Sequence, residues 1–310
     1  MSIKTSFKKT IFFDILAPVH YKVLAIKHQK QGDELIIKKE WKKRFGYELD
    51  LDNPQTLNEK IQWLKLNDRK EIYGIWADKY RCREYIENTF GAQYLVPLLF
   101  VTDKASDINK ETINDFPCVI KANHTSADYV LARTNSSIKW SRFKLQCKRW
   151  LKCNYYHISQ EWQYSTMKRL IVVERMLLTK EGKIPNDYKL HFIEGKLVFI
   201  YCSIDREGDN YRQIYDPEWN LLNFTWDGNG KPPVKNKPIQ KPLSFDKMHE
   251  FGKVIAKGMH YIRVDFYDVD GKLYFGEITL YHGGGFDKFV PSENDLKYGK
   301  MIHLPNCTKQ

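Results

Sequence analysis

The sequence lacks any run of about 18 apolar residues, so nothing in it reads as a membrane span. The longest early candidate, Ile11 to Val19, is interrupted by Asp14 and followed by His20, Tyr21 and Lys22. Without a small-residue cleavage site, it does not read as a secretory signal either. The six cysteines (Cys82, Cys118, Cys147, Cys153, Cys202 and Cys307) lie far apart with no CxxC pair, which excludes a disulfide scaffold and fits reduced thiols in a cytoplasmic setting. The nine histidines and six cysteines show no zinc spacing, and there is no internal repeat or low-complexity tract. Acidic residues are in deficit, 38 Asp and Glu against 50 Lys and Arg, for a formal charge of +12. That surplus leaves nucleic acid, an anionic membrane surface or a phosphorylated small molecule as partners.

What is present is enough for a core. Of 310 residues 42% are hydrophobic and 14% aromatic, which excludes global disorder and predicts one large domain or two smaller ones. Residues 1–110 read as a helical, basic region with a short strand, residues 111–180 as a first α+β subdomain and residues 181–310 as a second. Thr56-Leu57-Asn58-Glu59 has the form of a capping box. The spacing predicts a helix from about Ile72 to Phe90 stopped by Gly91, then a buried strand over Tyr94 to Val101. Pro117 to Lys121 reads as a short apolar strand ending on a lysine, Trp140 to Leu151 as a helix and Leu170 to Val173 as a second buried strand. Two hairpins follow, Asp187 to Ser203 around Glu194-Gly195 and Tyr261 to Leu280 around Asp268-Val269-Asp270-Gly271. Between them, Asp227 to Pro242 is a loop rich in Gly, Pro and Lys, and Ser244 caps a helix carrying Phe245, Met248, Phe251, Ile255 and Met259 on one side.

The second hairpin carries the chemistry. A three-residue loop, Val269-Asp270-Gly271, pairs Arg263 with Glu277 and leaves Asp265 diagonal to Glu277, at roughly 7–8 Å, close enough for the two to hold one or two hard cations. A two-residue loop would put the two acids on opposite faces. The alternative is an exposed sheet face with an ordinary Arg–Glu pair. A calcium hand is excluded, since Gly271 at its glycine position puts Phe266 at the first ligand. Lys121 and Lys189 sit in strands that otherwise read as core, and a lysine there needs an anionic partner. Together with Arg263, Asp265 and Glu277 they suit the phosphates of a nucleotide and its Mg²⁺.

Four motifs in this order resemble the ATP-grasp superfamily: Val119 to His124, Val172 to Leu177, Asp187-Tyr188-Lys189 with its hairpin, and Arg263 to Phe266 through Gly276 to Thr279. Thr56 to Ile61, Ala77-Asp78-Lys79 and Gly276-Glu277-Ile278-Thr279 resemble its TupA-like branch, associated with bacterial surface-polysaccharide synthesis. The resemblance covers about Asn53 to Phe289. It implies an α+β ATP-grasp fold, in which two subdomains grip ATP, preceded by the helical basic N-terminal region. It further implies that Lys121 and Lys189 contact phosphates. Glu174, Arg175, Met176 and Leu177 form the adenine hinge, and Asp187 meets the ribose. Asp265, Glu277 and Thr279 hold Mg²⁺, while Arg263, with Lys189, serves phosphoryl transfer. His124 to Asp128 would cover the phosphates, and His282, Gly283 and Gly284, with His124, would meet the acceptor. Two departures stand out: Thr279 replaces the asparagine usual in the last metal motif, and the cover lacks glycines.

The expected activity is ATP- and Mg²⁺-dependent ligation of a carboxylate, a uronic acid or an amino-acid side chain, to an amine. Alternatives are a nucleotide-dependent glycosyltransferase or kinase, and a catalytically silent ATP- or glycan-binding module. Nucleic acid is not an expected partner, because the basic residues are dispersed and no recognition motif exists. The surplus of Lys8, Lys9, Lys22, Lys27, Lys38, Lys39, Lys42, Lys43 and Arg44 suggests peripheral contact with the anionic inner face of the cytoplasmic membrane.

Overall fold

The computed structural model describes residues 11–126, 128–228 and 237–305. Lys8, Lys9, Ala127 and Cys307, and residues 229–236 of the expected loop, lie outside them. The helices are α1 Ile11–Phe45, α2 Leu57–Asn67, α3 Ile72–Trp76, α4 Cys82–Phe90, α5 Trp140–Lys152, α6 Tyr156–Ser159, α7 Phe245–Ile255 and α8 Glu293–Gly299. The first strands are β1 Leu98–Thr102, β2 Cys118–Ala122, β3 Tyr129–Ala132 and β4 Ile171–Arg175. Then come β5 Asp187–Ile193, β6 Lys196–Ile204, β7 Tyr211–Tyr215, β8 Leu221–Leu222, β9 Thr225–Asp227, β10 Tyr261–Val269, β11 Lys272–Thr279 and β12 Lys288–Val290.

The chain divides into two compact units. One holds residues up to Ile36, Asp78–Arg83 and Val96–Met176; the other holds Ile37–Ala77, Glu84–Leu95 and the chain from Leu177 onward. In the first unit an antiparallel sheet of order β1-β4-β2-β3 packs on α5. Ile120, Ile171 and Val173 from the sheet, with Phe143, Cys147 and Trp150 from the helix, form its core. In the second unit the sheet order is β11-β10-β5-β6-β7-β8, antiparallel throughout, and a small β12-β9 pair stands apart. Period 2 sends Leu190, Phe192, Ile262, Val264 and Phe266 to one face, where α7 lays Phe245, Met248, Phe251 and Ile255. Gly252 of α7 is required by close packing, since a Cβ there would stand 2.4 Å from the Phe192 ring. The other face of this sheet is polar.

Several expectations need correction. The helix over Ile72 to Phe90 is broken: the Asp78 carboxylate accepts the N–H groups of Tyr80 (2.9 Å) and Arg81 (3.2 Å), so the backbone leaves the helix after Trp76 and restarts at Cys82. Tyr94 to Val101 is not a buried strand; Ala92–Tyr94 is a single tight turn, Pro97 has no N–H to give, and only Leu98–Thr102 pairs, at the sheet edge. Ser244 precedes α7 but does not cap it; its hydroxyl donates to Asp268 at 2.6 Å, and Met259 lies past the helix end. The strand Tyr129–Ala132 was not expected. The capping box is present, with Glu59 N donating to Thr56 Oγ1 (3.2 Å) and Thr56 N to Glu59 Oε2 (2.9 Å).

Candidate active site

The largest correction concerns the hairpin register. Val269 pairs with Lys272, so the turn has two residues, Asp270 (φ 53°) and Gly271 (φ 89°), as an Asp-Gly turn with two left-handed positions should. That register alone would put Asp265 and Glu277 on opposite faces. It does not, because the ladder shifts by one between Phe266↔Phe275 and Asp265↔Glu277, leaving Gly276 as an unpaired bulge. The two acids therefore stand directly opposite, and Arg263 pairs with Thr279 rather than Glu277. The bulge tolerates no side chain: a Cβ on Gly276 would lie 2.9 Å from the carbonyl oxygen of Asp265.

Carried across β10 and β5, the pairing lays out three rows on the polar face. Thr279, Arg263, His191 and Phe199 form one, Glu277, Asp265, Lys189 and Tyr201 the next, and Tyr267, Asp187 and Ser203 the third. Arg263 grips Asp265 with two parallel bonds, Nε to Oδ1 (2.7 Å) and Nη2 to Oδ2 (2.8 Å), and donates from Nη2 to Glu277 Oε1 (2.7 Å) and from Nη1 to His282 Nδ1 (2.9 Å). These bonds use four of the five N–H groups a guanidinium has. Lys189 bridges Asp265 Oδ2 (2.9 Å) and Asp187 Oδ2. Thr279 Oγ1 donates to Glu277 Oε1 at 3.3 Å. Asp265 is buried, whereas the Glu277 side chain keeps 36% of its exposure, so one acid is interior and its partner meets solvent.

Burial opposes the Lys189 ammonium, but Asp187 and Asp265 outweigh it and its pKa is raised. Burial likewise pushes the Asp265 carboxyl up, against the pull of Arg263 and Lys189. His282 is held well below its ordinary value by burial and by Arg263. Since a guanidinium only donates, His282 Nδ1 must accept, and its proton sits on Nε2, facing Trp226 O at 3.3 Å. His282 is thus a neutral ring that orients Arg263. Two polar atoms of these rows, Asp187 Oδ1 and His191 Nε2, are buried without a hydrogen-bond partner.

The glycines after β11 belong to the support of this site. Gly283, Gly284 and Gly285 have φ of 57°, 64° and 73° in succession, a path open to glycine. The backbone so turned offers Gly284 O to Lys65 Nζ (2.9 Å) and Gln62 Nε2 (3.0 Å), and Gly285 O to Gln62 Nε2 (2.8 Å). Asn58 Nδ2 reaches Asp287 O (2.9 Å) and Asp295 Oδ2 (2.8 Å). Asn58, Gln62 and Lys65, fully buried and spaced along one face of α2, thus anchor the loop that carries His282.

In the first unit, Lys121 Nζ meets Glu174 Oε2 at 2.5 Å, and Arg83 Nη1 donates to Glu174 Oε1 at 3.0 Å. The N–H of Arg175 goes to Pro97 O (2.9 Å) and that of Met176 to Pro117 O (3.0 Å), while the Arg175 side chain pairs with Asp115. Of the expected hinge, these two N–H groups and the Glu174 carboxylate already have protein partners. Asn123 holds the turn after β2: it donates to Asp78 Oδ1 and to Lys168 O (2.9 Å each) and accepts from Leu170 N (2.7 Å), and Lys79 Nζ caps Thr125 O (2.8 Å). His124 lies buried with Nδ1 2.8 Å from Asn123 Oδ1 and Nε2 3.0 Å from Trp150 O, its pKa lowered to about 4 by burial. A neutral ring has one N–H, so it donates to one of these acceptors at a time. This is a structural histidine.

A family model described as TupA-like ATPgrasp matches residues 59–303. The chain belongs to this family. Solved structures similar to this ATP-grasp chain include D-alanine–D-alanine ligase from Bacillus anthracis (16% identity, TM-score 0.37, 67% of this chain and 57% of that one). The same enzyme from Helicobacter pylori gives 13%, 0.40, 81% and 70%. The ATP-grasp ligase PsnB complexed with a phosphomimetic variant of its minimal precursor, Mg and ADP gives 8%, 0.38, 72% and 58%. The chain spans between half and three-quarters of the length of these three relatives. No curated protein matches it.

Within this ATP-grasp chain, the two expected lysines each sit against a carboxylate, Lys121 against Glu174 and Lys189 against Asp187 and Asp265. Arg263, Asp265, Glu277, Thr279 and Lys189 come together in the second unit, which also holds Leu177. Sequence reasoning missed Arg83, His191 and the Asn58-Gln62-Lys65 anchor. The anchor had a signal: polar residues at 58, 62 and 65 interrupt the apolar face opened by Leu57, Ile61 and Leu64. The bulge at Gly276 had none beyond a glycine inside a strand. Among the described residues no three or more His, Cys, Asp and Glu side chains form a metal cage. Two carboxylates with a hydroxyl beside them still suit Mg²⁺, which keeps waters and is commonly held through one or two carboxylates and substrate phosphates.

Proposed function

We propose that this chain is an ATP- and Mg²⁺-dependent carboxylate–amine ligase, acting on a uronic-acid or amino-acid carboxylate of a bacterial surface polysaccharide or its precursor. The observation that carries the reading is the charge of the lattice. Arg263 and Lys189 face Asp187, Asp265 and Glu277, two cations against three carboxylates in one bonded cluster. Such a surface repels a triphosphate unless a divalent cation is taken up with it. Asp265 and Glu277, with Thr279 beside them, would hold Mg²⁺, which would offset phosphate charge when bound.

The chain's own residues divide the remaining work. Lys121 and Lys189 bind phosphate oxygens. The orphaned Asp187 Oδ1 accepts from a ribose hydroxyl, which would satisfy a buried carboxylate oxygen left without a donor. Arg263, kept in place by Asp265 and His282, offers its fifth N–H to the transferring phosphoryl group. An oxygen of the substrate carboxylate attacks the γ-phosphorus, the bond to the β,γ-bridging oxygen breaks and ADP leaves. The amine nitrogen then attacks the acyl carbon, phosphate departs, and the amine proton passes to solvent.

The test is ADP release screened over uronic acids and amino acids as carboxylates, with hydroxylamine as trap. Release should require Mg²⁺ and a carboxylate, yield a hydroxamate, and fall by at least 100-fold in Asp265→Asn. ADP release that needs no carboxylate would defeat the ligase reading.

A further inference from the structure

The amphipathicity of α1 is inverted. At about 100° per residue, Phe12, Ile15, Leu16, Val19, Val23 and Ile26 fall within an arc of about 100° on one side of the helix. All six are exposed, between 53% and 71%. The opposite side, turned into the first unit, carries the polar residues Asp14, Tyr21 and His28 beside Ala17 and Leu24. Asp14 accepts from Arg149 Nε of α5 at 2.8 Å, Tyr21 OH lies 3.4 Å from Arg149 Nη1, and His28 Nδ1 meets His157 Nδ1 at 2.7 Å. Gly32 is non-helical (φ 73°), and beyond it Tyr156 OH donates to Asp33 at 2.9 Å. The bonds of Asp14, Tyr21 and His28 fix the rotation of the helix before that break, so the apolar arc is held outward.

The charge around the arc has one sign. Lys22 and Lys27 flank it on either side, Lys30 continues it by one turn, and all three are exposed. Between Phe12 and Gln31 the only acidic residue is Asp14, which faces inward on Arg149. An exposed apolar strip about 21 Å long with basic borders is the pattern of a helix that lies in a membrane interface, its apolar side among acyl chains and its lysines at the headgroups. Among the described residues no helix is long and apolar enough to cross a membrane. We propose that residues 12–30 of α1 dock this chain in the plane of an anionic lipid surface. A protein partner or a second copy would have to bring an acidic border of its own; an anionic leaflet supplies one everywhere.

Vesicle co-flotation tests this, with phosphatidylcholine vesicles and vesicles containing 30 mol% phosphatidylglycerol as the probes. The wild-type chain should float with the anionic vesicles at low salt and much less with the neutral ones. Val19→Glu/Val23→Glu should weaken binding by at least tenfold, and each of Lys22→Gln and Lys27→Gln by about fivefold. All these positions are exposed, so circular dichroism and the thermal midpoint should be unchanged. The emission that Val23→Trp adds to that of the eight native tryptophans should shift to the blue on anionic vesicles and be quenched by brominated acyl chains. The proposal is overturned by absent flotation, by flotation that survives Val19→Glu/Val23→Glu, or by a wild-type dimer that this double variant splits. None of these readouts depends on ligase activity.

Discussion

The two hairpins of the six-stranded sheet are built alike and differ in one residue that matters. Each closes on a two-residue turn with both positions left-handed, Glu194-Gly195 and Asp270-Gly271, and each then skips one residue. In the first the skipped residue is Val198, close to the turn, between Phe192↔Leu197 and His191↔Phe199. In the second it is Gly276, against the Asp265–Glu277 pair. The first shift sets Phe199, Tyr201 and Ser203 opposite His191, Lys189 and Asp187, and the second sets Glu277 and Thr279 opposite Asp265 and Arg263, while the β10–β5 ladder between them runs without a shift. A bulge near a turn accepts a β-branched side chain; a bulge pressed on a neighbour's carbonyl does not. Of the lattice of charges, the place of Glu277 is therefore the one set by a register shift that compensates a tight turn.

The charges contributed by the two hairpins should differ most in cost. Arg263 is the partner of both acids in the second hairpin, so Arg263→Met leaves Asp265 with Lys189 alone and takes the cation from Glu277; a loss of about 3–5 kcal/mol is expected. Lys189→Met, in the first hairpin, leaves the two bonds from Arg263 to Asp265 intact but takes the cation from the buried Asp187, and should cost about 3 kcal/mol, the lower end of that range. Urea unfolding of the two variants side by side measures the gap, and equal losses would mean that the lattice has no central cation.

Next in size is the bulge itself. Gly276→Val places a Cβ at 2.9 Å from the Asp265 carbonyl, and either strand must move. Overpacking of this kind costs about 1–3 kcal/mol, but the effect on turnover should be larger, since an error of about 1 Å in a reacting site costs on the order of 100-fold. The matching change in the first hairpin, Val198→Gly, should cost about 1 kcal/mol and leave turnover within a few-fold. Gly276→Val with near-normal ADP release would show that the register of the acids is not set there.

The same contrast explains what the sequence does and does not disclose. Period 2 and the Gly-containing turns locate both hairpins, and the lysines in apolar strands mark Lys121 and Lys189 as charges with buried partners. The capping box at Thr56 is local and correctly legible. What fails is long-range: Gly276 gives no sign of facing Asp265 until the strands are laid together, and Asp78 breaks a helix whose apolar spacing runs on. His282 and the glycines after it read as a receiver for the acceptor substrate, with nothing local to show what holds them. Gln62 and Lys65, which bond their backbone, lie more than 200 residues away in sequence. The inverted helix is a further case, since an apolar stripe at helical spacing reads as a core face until Asp14 is seen bonded to Arg149.

A pH-dependent effect lies in the chain beyond the second hairpin, which leads into two acids raised by burial. Burial raises both Asp287 and Asp295 from 3.8 to about 6. A carboxyl raised in the fold binds its proton more tightly there than in the unfolded chain. Its contribution to stability is therefore full below about pH 4 and is lost as pH rises through 6. For Asp295, which accepts from Asn58 N and Nδ2, the loss is on the order of 2 kcal/mol, less than the shift alone implies because the side chain keeps some solvent. Asp295→Asn removes the titration but keeps one acceptor for Asn58. The stability of the wild type relative to this variant should accordingly fall by about 2 kcal/mol between pH 4 and pH 7, read from urea midpoints at each pH. A difference constant across that range would place the Asp295 carboxylate in ordinary contact with water and make the anchor on α2 a neutral hydrogen-bonding device, like the turn that closes the first hairpin.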